Sequence, residues 1–234
     1  MKHPRSSNLR RRHRPFTLVE MLAVIAIMMI LFGIAVAPFG KLLGGSGVDG
    51  AARMIGAQLR LARQYALSQR KYVAVLMPAE NGAPAMRGVA FRTCVVDGND
   101  ANFVEWVPDT KWEQLPAQSI IYFAGPDTGN DGDVTVSFTQ EPYTDLDDNG
   151  QYDGGEPYFD VNGNGNHNTS LSSANEIRAV VFKPTGKIKT SGSYYTVRVV
   201  EGVNVDGALS ERNSDNAKLL KLDVFTGRVT YEEP

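Results

Sequence analysis

The first pattern along the chain is an apolar run over residues 16–40 that follows a polar, basic stretch. Glu20 is the single charged residue in this run. About 20 apolar residues suffice for a helix to cross the hydrocarbon core of a bilayer, so the pattern predicts a transmembrane helix here. Because basic flanks stay on the cytoplasmic side of a membrane, residues 1–15 are expected inside and the rest of the chain outside.

A second pattern, with apolar residues three and four positions apart, predicts an amphipathic helix that continues the first one over residues 41–71. Glycines within residues 40–50 are expected to loosen or break the helix before this part. Basic side chains lie largely away from the apolar stripe, either as a solvated face or as a contact for an acidic partner. The stripe consists of Val48, Ala52, Ile55, Leu59, Ala62 and Ala66.

Strand-like segments rich in Val, Ile, Tyr and Phe, separated by Gly, Pro, Asn and Asp clusters, fill the rest of the chain. One long N-terminal helix followed by antiparallel strands predicts an α+β fold, in which the β-rich head, residues 72–234, packs a sheet on the apolar stripe. The candidate strands are residues 72–77, 88–96, 118–123, 133–138, 177–183, 194–200, 218–225 and 228–231.

The single acid in the apolar run sets the N-terminal segment apart from ordinary targeting sequences. An ionisable group that enters lipid is costly without a partner, so Glu20 indicates a function. A cleaved secretory signal has an apolar core of about 7–15 residues and a small-residue cleavage site, whereas this run is longer and Pro38 follows its small residues. A plain membrane anchor accounts for the length of the run and leaves Glu20 unexplained.

The run Phe16-Thr17-Leu18-Val19-Glu20, between a basic leader and an apolar helix, resembles the type IV prepilin signature. The resemblance implies that a prepilin peptidase cleaves between Pro15 and Phe16 and that the new amine of Phe16 is N-methylated. It also implies that Glu20 pairs with the N-terminal amine of a neighbouring subunit, which removes two charges from an apolar filament core and sets the axial register. Pro15 stands where the family normally has Gly, which bears on the efficiency of processing.

The order of elements is similar to that of the GspH/FimT-like minor pseudopilins of type II secretion. The likeness is carried by the helix over residues 59–68, by Phe182-Lys183-Pro184-Thr185-Gly186, and by the closing strand pair over residues 222–229. It implies a pilin-like fold, a single pass through the bacterial inner membrane, a head in the periplasm, and other pilin or pseudopilin subunits as partners.

Charge and reactive residues narrow the function classes. The chain has 24 basic and 26 acidic residues, and removing the six basic residues of the leader leaves a net charge of −8. This balance argues against nucleic-acid binding, which needs a basic surface. Cys94 is the sole cysteine, so no internal disulfide can form, and it is expected to be a buried apolar residue. Two of the three histidines lie in the leader, no catalytic arrangement can be assembled, and no enzyme is expected.

An acidic insert, about residues 127–170, interrupts the strand pattern. Between Lys111 and Arg178 there are twelve acidic residues and neither Lys nor Arg. The insert contains a fifteen-residue repeat, because Glu141-Pro142-Tyr143-Thr144-Asp145 recurs as Glu156-Pro157-Tyr158-Phe159-Asp160. His167 aligns with Tyr152 of the first copy, which indicates a structural role.

The first copy matches the twelve-residue calcium loop D-x-[DN]-x-[DN]-G-x5-E at every specified position. A hard cation such as Ca²⁺ is coordinated by six to eight oxygens, and Gly150 permits the sharp turn that brings them together. Helices do not flank this loop, which therefore resembles the Asp/Asn-Gly repeats of extracellular bacterial proteins. The alternative is a polar turn-rich loop without an ion. The expected ligands are Asp145, Asp147, Asn149, the backbone carbonyl of Gln151, Asp153 and Glu156.

The second copy offers fewer carboxylates, since Leu171 stands where the closing Glu is expected. It is therefore predicted to bind calcium weakly or to share ligands with the first loop. Its candidate ligands are Asp160, Asn162, Asn164 and Asn166, with Asn168 as a further possibility.

Two non-enzymatic functions fit these features. The first is a structural subunit, a minor pilin or pseudopilin that assembles through its N-terminal helix into a type IV pilus or a type II secretion pseudopilus. The second is a pilin-anchored adhesion or surface-binding module that presents a calcium-stabilised loop.

Overall fold

The computed structural model describes residues 17–79, 81–122, 134–172, 175–190 and 194–233, without the side chains of residues 33–46. The chain divides into two compact units, residues 1–42 and 43–234, which are described separately. The predicted leader, both residues of the predicted cleavage site (Pro15 and Phe16), and the start of the insert at residues 127–133 lie outside the described residues.

Helix α1 spans Leu18–Gln69 and begins with a capping box. The backbone N–H and the hydroxyl of Thr17 donate to the carboxylate of Glu20 at 2.9 and 3.0 Å, and the Glu20 N–H donates to the Thr17 hydroxyl at 3.2 Å. This exchange satisfies donors that the first turn of a helix otherwise leaves unpaired. The boundary between the two units falls inside α1, so each part of this helix is described with its own unit.

A search of the described helical residues finds no stretch with the length and the apolar character of a membrane span.

The head contains two antiparallel sheets where one was predicted. The larger sheet has the order β3-β2-β1-β7-β6, with β4 paired to β2, and the smaller has the order β10-β9-β8-β5. A helix followed by antiparallel sheets confirms the α+β class. The strands among the described residues are β1 Tyr72–Leu76, β2 Ala90–Val96, β3 Phe103–Trp106, β4 Glu113–Gln114, β5 Ser119–Ile121, β6 Val134–Ser137, β7 Glu176–Phe182, β8 Tyr194–Val205, β9 Ala208–Asp223 and β10 Val229–Glu232.

The main core lies between the apolar stripe of α1 and both sheets. All six predicted stripe residues are buried, and they share one cluster with Val73 and Val75 of β1 and with Val197 and Val199 of β8. Burying one such large aliphatic side chain stabilises the fold by about 1.5–3 kcal/mol. The stripe therefore holds the two sheets together.

A second core covers the opposite face of the larger sheet. Successive residues of a strand point to opposite faces, so Ala74 and Leu76 of β1 lie on the side away from α1. Phe159 and Val161 of the acidic insert pack into this second cluster. Cys94 of β2 is fully buried there, in agreement with the prediction for that residue. The insert is therefore part of the folded head.

The β8–β9 hairpin is longer than predicted. Its turn is Asp206-Gly207, with φ of 50° and 87°, the positive values that a tight two-residue hairpin turn requires. Arg198 of β8, 6% exposed, forms an ion pair with Glu211 of β9 at 2.6 Å. This pair joins the hairpin arm to the sheet.

Candidate metal centre

The insert between β6 and β7 contains two loops of similar backbone shape, loop 1 over residues 145–156 and loop 2 over residues 160–171. The sixth residue of each loop is a glycine with positive φ, 77° at Gly150 and 76° at Gly165. The fourth residue also has positive φ, 57° at Asp148 and 75° at Gly163. Such values favour Gly and tolerate Asp, which explains the residue types at these positions.

Loop 1 brings the side chains of its predicted ligands together. Carboxylate oxygens of Asp145, Asp147 and Glu156 all lie within 4.8 Å of one another. The amide nitrogen of Asn149 donates to Asp147 Oδ2 at 3.0 Å and to Asp153 Oδ2 at 2.6 Å. The side chains of Asn149 and Asp153 therefore join the group. Gln151 follows in the same turn, where its N–H donates to Asn149 Oδ1 at 2.7 Å.

The carboxylate of the glutamate that ends loop 1 accepts hydrogen bonds from two backbone N–H groups of the same loop. Glu156 accepts hydrogen bonds from the N–H of Leu146 at 2.7 Å and from the N–H of Asp153 at 3.0 Å. Its own N–H donates to the carbonyl of Asp153 at 3.0 Å. The carboxylate is therefore held at the second and ninth positions of the loop.

The charges of loop 1 suit a hard cation. The backbone N–H groups of Gly150 and Asn149 lower the pKa of Asp145, so this carboxyl stays ionised at neutral pH. Carboxylates at such short separations repel one another, and a cation among them adds attractions that outweigh this repulsion. Oxygen ligands from carboxylates, an amide and a backbone carbonyl are those that Ca²⁺ prefers.

Loop 2 has the same arrangement with amides in place of carboxylates. Asp160 accepts hydrogen bonds from three backbone N–H groups, at distances of 2.6 to 3.1 Å. The amide nitrogens of Asn162 and Asn164 donate to Asn168 Oδ1 at 3.0 and 2.8 Å. The N–H of Asn166 donates to Asn164 Oδ1 at 2.7 Å, as Gln151 does to Asn149 in loop 1.

Glu141 closes loop 2 and was missed from the sequence. It accepts hydrogen bonds from the N–H of Val161 and of Asn168, both at 2.9 Å, and its own N–H donates to the Asn168 carbonyl at 3.0 Å. These are the second and ninth positions of loop 2, so the bonds repeat those of Glu156 in loop 1. The signal was present, because Glu141 and Glu156 occupy the same position of the fifteen-residue repeat.

The Glu141 side chain is fully buried, with 0% of its surface exposed. Burial raises its pKa, three backbone N–H groups act in the opposite direction, and the charge of Asp160 raises it further. Among the described residues, no basic side chain forms an ion pair with this carboxylate.

The two repeats also pair with each other through their backbones. The Thr144 N–H donates to the Pro157 carbonyl and the Phe159 N–H donates to the Pro142 carbonyl, both at 2.8 Å. Tyr143 and Tyr158 form the antiparallel bridge between them. The two segments thus face each other about an internal two-fold relation.

Aromatic rings fill the space between the loops. His167 and Tyr152, the eighth residues of their loops, stack with ring centroids 3.7 Å apart. Tyr143 and Tyr158 pack edge-on against His167. The His167 Nε2 lies 3.0 Å from the Glu141 carbonyl oxygen, so this histidine has the structural role expected of it.

Loop 2 lies against the head and loop 1 faces solvent. Phe159 and Val161 are 3% and 0% exposed, and Phe159 contacts the rings of Trp106, Trp112 and Phe138. Leu146, the loop 1 counterpart of Val161, is 67% exposed. The head therefore supports loop 2 directly and loop 1 through the pairing between the repeats.

Comparison with known proteins identifies one segment of the chain. A family model for the prokaryotic N-terminal methylation motif matches residues 10–36. This confirms the type IV prepilin-like signal predicted from Phe16 and Glu20, a signal that implies processing by a prepilin peptidase and assembly with pilin subunits. The comparisons with curated proteins and with solved structures give no match.

Phe159→Ala is expected to loosen the insert, because it removes the side chain that joins the repeats to the aromatic cluster. Replacing a buried Phe by Ala destabilises a protein by about 3–5 kcal/mol. Urea unfolding followed by tryptophan fluorescence measures the loss, since both tryptophans contact Phe159.

Leu146→Ala is the matched control, with an expected change within about 0.5 kcal/mol because this side chain is exposed. Equal effects of the two substitutions would show that Phe159 does not hold the insert in place.

Proposed function

We propose that this chain is a structural, non-enzymatic subunit of a pilin-like filament, a minor pilin or a pseudopilin of a type II secretion system. The observation that carries the proposal is the methylation motif over residues 10–36. An α+β head with antiparallel sheets agrees with it. The GspH/FimT-like assignment rests on the order of elements and on the motifs near residues 182–186 and 222–229.

The N-terminal segment is the part of the chain that is cleaved, inserted into the membrane and used for assembly. In this proposal residues 1–15 are a cytoplasmic leader that a peptidase removes before Phe16, and residues 16–40 lie in the inner membrane. The described part of that segment presents its large apolar side chains outward, with Leu18 at 81% and Phe32 at 71% exposed. Such a surface suits lipid or the apolar helices of neighbouring subunits.

Glu20 has two roles in this proposal, one within its own subunit and one between subunits. In the single chain its carboxylate completes the capping box with Thr17. In a filament it pairs with the methylated amine of a neighbouring Phe16. A charge left unpaired in an apolar core is costly, so the pairing selects the correct axial position.

The head, residues 72–234 together with the helical stripe, carries calcium in the insert. We infer one Ca²⁺ in loop 1, held by Asp145, Asp147, Asn149, Asp153 and Glu156 with the carbonyl of Gln151. Loop 2 offers a second, less charged site with Asp160, Asn162, Asn164, Asn166 and the closing Glu141. Support comes from the gathered oxygens of loop 1 and the matching backbone of loop 2.

A surface-binding module is the second candidate function. Leu146 stands exposed on the outward loop, a position suited to contact with a partner outside the membrane. Ligand binding by the protein that disappears on chelation of calcium would favour this function over a purely structural one. Nucleic acid is not an expected partner, because the chain has a net charge of −8 after leader removal and nucleic-acid binding needs a basic surface.

Glu20→Gln is expected to leave the protein in the membrane and to abolish its assembly, because Gln preserves the capping box and removes the charge. Removing one partner of a buried ion pair costs about 3–5 kcal/mol, which lowers incorporation by roughly 100-fold or more. Recovery of the protein in sheared filaments, with the mass and N-terminal sequence of the mature chain, measures both processing and assembly.

Thr17→Ala is the matched control for this experiment. It breaks the capping box and keeps the Glu20 charge, and the expected loss is only about 1 kcal/mol of helix stability. Normal incorporation of Glu20→Gln would show that assembly does not need the ion pair of Glu20. A mature protein with an intact leader would contradict the pilin-like function itself.

Chelation of calcium is expected to expose residues 141–168 to proteases in the full chain in detergent. A ligand that binds only the folded state at 100 times its Kd stabilises that state by about 2.7 kcal/mol, so calcium should restore protection and raise the Tm. Glu156→Gln should abolish the response, whereas Asp148→Asn removes a charge from the same loop without removing an expected ligand. Identical cleavage with EDTA and with millimolar calcium would refute calcium binding.

A further inference from the structure

We propose that the two loops take up their calcium ions as one cooperative unit. The proposal rests on the calcium-binding role proposed above and adds that occupation of one loop raises the affinity of the other. Its basis is the crossed arrangement of the two closing glutamates and the backbone pairing that joins them.

Each closing glutamate belongs to the segment that starts the other loop. Glu156 closes loop 1 and lies four residues before Asp160, the first ligand of loop 2. Glu141 closes loop 2 and lies four residues before Asp145, the first ligand of loop 1. An ion that fixes Glu141 therefore also fixes the chain leading to Asp145, and the same holds in the other direction.

The connecting segments are bound to each other and cannot respond separately. They exchange the two 2.8 Å hydrogen bonds of Thr144 and Phe159 with the prolines opposite them. Ring stacking between Tyr152 and His167 joins the loops a second time, at their eighth positions. Ordering of one segment thus removes part of the entropic cost of ordering the other, which is a source of positive coupling.

Burial of Glu141 adds an argument from charge to the argument from loop geometry. Buried carboxylates in proteins are paired with a cation or coordinate a metal. Glu141 is 0% exposed, and among the described residues it has backbone N–H donors and no basic partner. A cation in loop 2 supplies the missing charge.

The two loops differ in charge, which makes the proposal distinguishable from independent binding. Loop 1 has four candidate carboxylate ligands, Asp145, Asp147, Asp153 and Glu156, whereas loop 2 has Asp160 and Glu141. Independent sites of unequal affinity fill one after the other, so a form with one ion dominates at intermediate calcium. Coupling suppresses that form.

Native mass spectrometry of the full chain in detergent, titrated with calcium alone, measures the populations with zero, one and two ions. When half of the sites are filled, any two independent sites leave at least half of the molecules with one ion. We expect fewer than half. A singly loaded population at or above half overturns a coupling that outweighs the difference in affinity between the loops and leaves calcium binding intact, whereas absence of any bound calcium overturns both.

Glu141→Gln tests the same proposal by substitution. It is expected to abolish the second ion and to weaken the first roughly tenfold, within the range of measured coupling energies. Asp160→Asn, which keeps an oxygen for the backbone N–H groups, removes loop 2 charge without altering a fully buried side chain and should have the same effect. Asp148→Asn is the control and should leave both ions bound. An unchanged affinity of loop 1 in Glu141→Gln and Asp160→Asn overturns the coupling.

Discussion

The buried carboxylate of Glu141 is the group on which the arrangement of the insert depends. A carboxylate cannot be withdrawn from water without hydrogen bonds and a compensating charge. Backbone N–H groups of Val161 and Asn168 provide the hydrogen bonds, and they do so only when loop 2 is folded over Glu141. Because Glu141 precedes loop 1 in the chain, this requirement brings the start of one repeat to the end of the other, and the pairing of Thr144 with Pro157 follows.

The head supplies the rigid surface on which this arrangement is built. Alternate residues of β1 divide between two cores, so Val75 packs toward α1 and Leu76 packs toward the insert. Phe159 enters the second core, and Thr144, its counterpart in the first repeat, does not. The same repeat therefore has one copy that contacts the sheet and one that points outward. If calcium binds as proposed, it stabilises both the part of the insert that packs on the larger sheet and the outward-facing loop 1.

Much of the fold could be predicted because it depends on local periodicity. The stripe from Val48 to Ala66, the strands β1, β2 and β7, and the burial of Cys94 all follow from apolar spacing. The division into two sheets does not, since periodicity does not say which strands pair. Strands β3 and β4 are too short to stand out, and the first half of β9 is mostly polar, so apolar periodicity does not reveal where this strand begins. The ligands of loop 1 agree with a local template, whereas Glu141 lies outside the twelve residues of the loop that it closes.

In the proposed function, which the methylation motif at residues 10–36 supports, such a head lies at the outer side of a membrane in a filament of like subunits. If the insert binds calcium as proposed, the calcium concentration there decides whether the insert is ordered. Anomalous diffraction from crystals of the full chain grown with calcium shows directly whether both loops bind an ion. We expect two calcium peaks, one in contact with Glu156 and one in contact with Glu141. A single peak in loop 1, with Glu141 bonded only to backbone N–H groups, would contradict this expectation.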